Sequence, residues 1–116
     1  MKKSLLIRAE DKNRWERRTP LIPRDARQTL QETSVQFLVE SSAKRCFIDS
    51  DYADAGAEIS HGMSEGDVIL GVKEIPLEKL LPRKAYLFFS HTVKGQSQNM
   101  PMLKRIIELQ ATLIDY

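Results

Sequence analysis

The chain has 116 residues, 18 Lys and Arg against 16 Asp and Glu, and 41% hydrophobic residues. That length and balance fit one soluble globular domain that can bury its own core, and they exclude a disordered tail. A net charge of +2, with the basic residues spread along the chain and not interleaved with aromatics, gives no footprint of a nucleic-acid binder.

From the amino terminus, Met1-Lys2-Lys3 is followed only by Leu5-Leu6-Ile7 before Arg8 and Glu10, too short an apolar run for a signal peptide. No stretch approaches membrane-spanning length. One cysteine, Cys46, rules out a disulfide within the chain, so a reducing, cytoplasmic location is expected. Neither Cys46 nor the two histidines have metal-ligand spacing, and no metal site is expected.

Short apolar runs rich in β-branched and aromatic residues predict strands at 4–8, 35–39, 67–72, 85–89 and 112–115, with 57–59 as a weaker one. Runs of this kind suit strands buried on both faces of a parallel sheet. Pro23 predicts the first residue of a helix through Leu30. Asp49 predicts the cap of a short helix over 50–55 that Gly56 ends. A short helix is expected over 76–81, closed by Pro82. Asn99 predicts the cap of a last helix carrying Met102, Leu103, Ile106, Ile107 and Leu109 on one face. Strand and helix alternate throughout, the pattern of an open, mainly parallel α/β sheet with flanking helices.

Ligands of such sheets bind beyond the carboxyl ends of the strands. The first strand is followed by a long charged loop, residues 10–20, with the only tryptophan; the fourth by Lys73; the fifth by Ser90-His91-Thr92-Val93-Lys94. Arg18, Lys73, His91 and Lys94 are therefore expected at one edge. A guanidinium fork matches a carboxylate, a lysine holds a carboxylate or exchanges a proton, and a histidine titrates near neutrality. The bland alternatives are solvated charges for Arg14, Arg17 and Lys94, a backbone-capping His91, a surface His61, a buried or incidental Cys46 and a packing role for Trp15.

Three segments carry a resemblance. They are 6–23 (Leu6-Ile7-Arg8-Ala9-Glu10 onward through Trp15-Glu16-Arg17-Arg18-Thr19-Pro20), 69–76 (Ile69-Leu70-Gly71-Val72-Lys73-Glu74-Ile75-Pro76) and 88–96 (Phe88-Phe89-Ser90-His91-Thr92-Val93-Lys94-Gly95-Gln96). In order and spacing the chain resembles the amino-terminal domain of the alanine dehydrogenase/transhydrogenase superfamily, on the lysine–ketoglutarate reductase (saccharopine dehydrogenase) side. The resemblance implies a Rossmann- or flavodoxin-like substrate domain of an NAD(P)-dependent oxidoreductase that joins lysine and 2-oxoglutarate into saccharopine. Arg18 would hold a carboxylate, Lys73 would bind substrate and assist proton handling, His91 would be the acid/base, and Lys94 would be a further binding lysine.

The five glycines are isolated and none forms a dinucleotide fingerprint, so no cofactor-binding residue is expected here. Residues 1–116 are read as the substrate-side domain, and the NAD(P)-binding Rossmann domain as a following domain or a split subunit. The chain alone is expected to be inactive, and self-association is plausible for such a piece. The alternative is a stand-alone small-carboxylate-binding or protein-interaction module. A signalling receiver domain, suggested by Glu10, Asp11 and Lys94, lacks its phosphoacceptor at the third strand.

Overall fold

A computed structural model describes residues 3–92, 95 and 97–115. Six strands, β1 (Ser4–Ile7), β2 (Gln36–Glu40), β3 (Glu58–Ser60), β4 (Val68–Leu70), β5 (Ala85–Phe88) and β6 (Thr112–Asp115), form one sheet in the order β3-β2-β1-β4-β5-β6. Every neighbouring pair is parallel. The chain winds outward from β1 to one edge, returns to β4 on the other side of β1, and winds outward again. The topological switch lies between β1 and β4, where a crevice opens beyond the carboxyl ends of the strands.

Side chains alternate across the sheet and define two cores. On one face Leu6, Leu38, Ile69, Tyr86 and Phe88 pack with Ile75, Leu80 and the Met102 and Ile106 side chains of α3 (Met100–Glu108). On the other, Ile7, Phe37, Val39 and Leu70 meet Ala26 of α1 (Pro23–Glu32) and Tyr52 of α2 (Asp49–Asp54). Both faces of the central strands are covered, which explains their uninterrupted apolar sequence. All six expected strands are present, including the weak one at 57–59, which appears as β3.

Several local details differ from expectation. Asp49 is the first helical residue, not the cap of α2; its carboxylate instead accepts from Ser41 Oγ (2.6 Å) and the Ser42 N–H (3.1 Å). Asn99 holds the N-cap position of α3 without a side-chain capping bond, and its Nδ2 donates to the carbonyl of His91 at 3.4 Å. The helix expected over 76–81 is a single 3-10 turn, Leu77–Lys79. Gly56 does end α2, at φ +104°, a conformation glycine adopts without penalty.

Candidate functional site

The loop between β1 and α1 does not wander. The Arg17 carbonyl accepts from the Cys46 N–H at 2.8 Å, and Arg17 Nε donates to the Lys44 carbonyl at 2.9 Å. Lys44 Nζ donates to the Asn13 carbonyl, and the Tyr52 hydroxyl, beneath the loop, donates to the Leu21 carbonyl at 2.6 Å. These bonds fold residues 13–21 over the sheet edge and bring Arg18 above the ends of β4 and β5.

Arg18, Val72, Lys73, Phe89 and His91 line one small pocket of about 190 Å³. A larger, more apolar one of about 370 Å³ adjoins it, sharing Arg18, Val72 and Phe89 and walled also by Thr19, Pro20, Ile22, Cys46 and Phe47. Three of the four residues singled out from sequence thus share one cavity. Lys94, the fourth, lies outside the described residues.

Carboxylates the sequence reading passed over hold these groups. Glu16, itself buried, takes Arg18 in a two-point bond, Nη2 to Oε1 at 2.7 Å and Nε to Oε2 at 2.9 Å, while the Arg18 side chain stays 63% exposed. Those bonds, against a smaller effect of burial, hold the Glu16 carboxyl down at about 2. Glu74, next to Lys73 and buried, lies 2.5 Å from Nδ1 of His91 and 3.4 Å from Lys12 Nζ. Burial pushes the Glu74 carboxyl up, but its own backbone N–H, His91 and Lys12 outweigh that and leave it below the usual range. His91 itself sits at φ +58°, a left-handed conformation uncommon for a residue other than glycine. Its neighbours fix that turn: Ser90 and Thr92 are buried with their hydroxyls 2.7 Å apart, and the Ser90 N–H donates to Asp115.

Because Glu16 has a depressed folded value, the Arg18–Glu16 pair stabilises the fold above the ordinary carboxylate value of 4.5, and that contribution fades as pH falls toward about 2. Exposure of Arg18 limits it to about 1 kcal/mol or less. Glu16→Gln is expected to remove this part of the pH dependence, read as a flatter plot of urea midpoint against pH between 4.5 and 2.

One expectation is overturned. Trp15 does not anchor the loop: it is 72% exposed, with the Arg14 guanidinium stacked 4.8 Å from its ring centre. Of the two alternatives for Cys46, buried or incidental, burial is excluded: the residue is exposed at the wall of the larger pocket. Arg14, Arg17 and His61 are exposed, as read from sequence.

The glycine-rich turn leading straight into a helix N-terminus that cradles a pyrophosphate in many dinucleotide sites has no counterpart after β1. The connection from Ile7 to Pro23 contains no glycine, and its first turn presents Glu10 and Asp11.

Residues 6–116 match the family model described as alanine dehydrogenase/PNT, N-terminal domain. The chain belongs to this family. It is 46% identical over 115 residues to alpha-aminoadipic semialdehyde synthase of Arabidopsis thaliana and 43% over 112 residues to the mitochondrial enzyme of that name from Bos taurus. To the saccharopine dehydrogenase (NAD+, L-lysine-forming) of Yarrowia lipolytica it is 32% identical over 116 residues. These alignments take in 95–97% of the chain but only 11%, 12% and 31% of the relatives' lengths. A transhydrogenase from Sinorhizobium meliloti superposes with a TM-score of 0.79 at 14% identity, over 96% of this chain and 34% of that one, and so shares the fold. Among the described residues no helix is long and apolar enough to cross a membrane.

Proposed function

We propose that this domain is the substrate side of an NAD(P)-dependent amino-acid dehydrogenase of the lysine–2-oxoglutarate reductase type. The observation that carries the reading is the convergence of Arg18, Lys73 and His91 on one pocket at the carboxyl ends of β4 and β5, with Glu74 on the imidazole. The names of the relatives, all enzymes of saccharopine or aminoadipic semialdehyde, supply the substrate class.

In this reading a carboxylate of 2-oxoglutarate or saccharopine displaces Glu16 from the Arg18 fork and gains its paired, charge-assisted hydrogen bonds. Lys73 lies within the same cavity, adds a second positive charge and steadies the oxygen of the 2-oxo group. His91, held through Nδ1 by Glu74, offers Nε2 to give or take the proton when that oxygen leaves as water and an imine forms with the lysine amine. NAD(P) supplies the hydride from a Rossmann domain that follows or from a separate subunit, and the chain by itself reduces nothing.

Titration of the 15N-labelled chain with 2-oxoglutarate tests this. Saturable shifts are expected at Arg18, Lys73 and His91, and Arg18→Leu is expected to weaken binding severalfold, since an exposed two-point carboxylate contact is worth up to about 1 kcal/mol. Absence of shifts at millimolar ligand, or equal binding by Arg18→Leu, sinks the reading. So does oxidation of a reduced nicotinamide by the chain alone with lysine and 2-oxoglutarate, for the claim of inactivity.

A further inference from the structure

Glu10 takes no part in the proton chemistry just described, yet it is almost wholly buried beside the pocket. Its Oε2 accepts the N–H of Val72 and its Oε1 the N–H of Lys73, both at 2.9 Å. Both donors lie past the end of β4: on the β1 side the last ladder bond is Arg8 N–H to Leu70, while Gly71 N–H still bonds Leu87 on the β5 side. On the other side the Val72 carbonyl accepts from the Phe89 N–H at 3.1 Å. The peptides around Val72 are thus held from two directions, and Lys73 and Glu74 leave from that held backbone.

A backbone strand offers an acceptor only at every second residue, so it could not serve two successive N–H groups. One carboxylate, with two oxygens, can. Burial pushes the Glu10 carboxyl up, opposed by these two N–H bonds and by the Arg8 guanidinium, whose Nη1 lies 3.8 Å from Oε1. The Arg8 side chain passes directly over Gly71. A Cβ there would meet Arg8 Cδ at 3.0 Å and Glu10 Oε2 at 3.2 Å, so a side chain at residue 71 would push both by a few tenths of an ångström.

We propose that Glu10 is a positioning residue for the reactive lysine: backed by Arg8 and seated over Gly71, its carboxylate clamps the N–H groups of Val72 and Lys73 and so fixes where Lys73 and Glu74 enter the pocket. The proposal rests on the reading of Lys73 as a substrate-contacting group. Glu10→Gln keeps the shape but only one acceptor. Gly71→Ala disturbs the carboxylate without altering any charge.

Amide hydrogen exchange of the chain is the experiment, together with its affinity for 2-oxoglutarate. Both variants are expected to exchange at Val72 or Lys73 at least about tenfold faster while Leu6 and Leu38, in the middle of the sheet, are unchanged. Both are expected to bind 2-oxoglutarate severalfold more weakly. Unchanged exchange at Val72 and Lys73 overturns the clamp. Exchange that rises equally at Leu6 and Leu38, or that rises locally with affinity unaltered, reduces Glu10 to a structural group and overturns the positioning role. A wild-type chain that takes no 2-oxoglutarate overturns the functional reading instead, and the clamp is then decided by exchange alone.

Discussion

Arg8→Met is expected to destabilise the chain by about 3–5 kcal/mol at neutral pH, the cost of leaving a buried carboxylate without its counter-charge. Arg8 is 1% exposed, and its guanidinium faces Glu10 and bonds Asp11, which Lys79 also engages. Its Nε and Nη1 find no hydrogen-bond acceptor among the described residues, so the arginine is not there for a saturated network. What it supplies is charge. Methionine of similar length fills the space but leaves the buried Glu10 carboxylate with its two N–H donors and no adjoining positive charge. Since whole domains are stable by only about 5–15 kcal/mol, such a loss brings the chain near unfolding.

The pH dependence of that deficit has a defined sign. The Glu10 carboxyl is already raised by burial, and removal of Arg8 raises it further. A carboxyl raised in the folded state costs stability above its folded value, and the cost is relieved as pH falls through it. The deficit of Arg8→Met should therefore shrink on acidification from pH 7 toward 5. The double variant Arg8→Met/Glu10→Gln should regain part of the loss at pH 7. Urea unfolding across that range decides it: a deficit independent of pH and unrelieved in the double variant would mean that packing, not charge, is what Arg8 contributes.

Arg8 also shows where the sequence was legible and where it was not. The apolar periodicity located all six strands within one or two residues, because burial on both faces leaves little room for a polar residue. The same rule placed Arg8 at the tail of the first run without explaining it. Its partner Glu10 sat in a segment dense with charge, where each residue taken alone reads as solvated. Glu16 and Glu74 were passed over for the same reason, although each stands within two positions of a residue that was singled out. Spacing in sequence reports which side chains follow a strand; it does not report which carboxylates fold back under them. That depends on the sheet order, with β1 and β4 adjacent, which brings Glu10 to Val72 across 62 residues. The caps have a similar origin: Asp49 lies one residue inside α2 with its carboxylate on Ser41, and Asn99 stands at the N-cap of α3 but its side chain bonds the His91 carbonyl. Trp15, judged by its size, was expected inside; the loop around it is tied down by backbone bonds at Lys44 and Cys46 and does not need it.

The largest functional effect is expected at His91. In a protein that joins this domain to a nicotinamide-binding domain, His91→Gln should lower kcat by about 10²–10⁴, the usual worth of a positioned general acid/base. KM for 2-oxoglutarate should change far less, because the carboxylate is held by Arg18 and not by the imidazole. Arg18→Leu should behave in the opposite sense, raising KM more than it lowers kcat. Glu74→Gln tests whether the charge of Glu74 matters to the histidine or only its hold on the ring. The amide can still accept from Nδ1–H, so the ring stays in place, but the carboxylate now 2.5 Å away is gone. The kcat of Glu74→Gln is expected to fall by up to about tenfold with KM for 2-oxoglutarate little changed. Full retention of kcat in Glu74→Gln, while His91→Gln still abolishes turnover, would mean that Glu74 serves only to hold the ring.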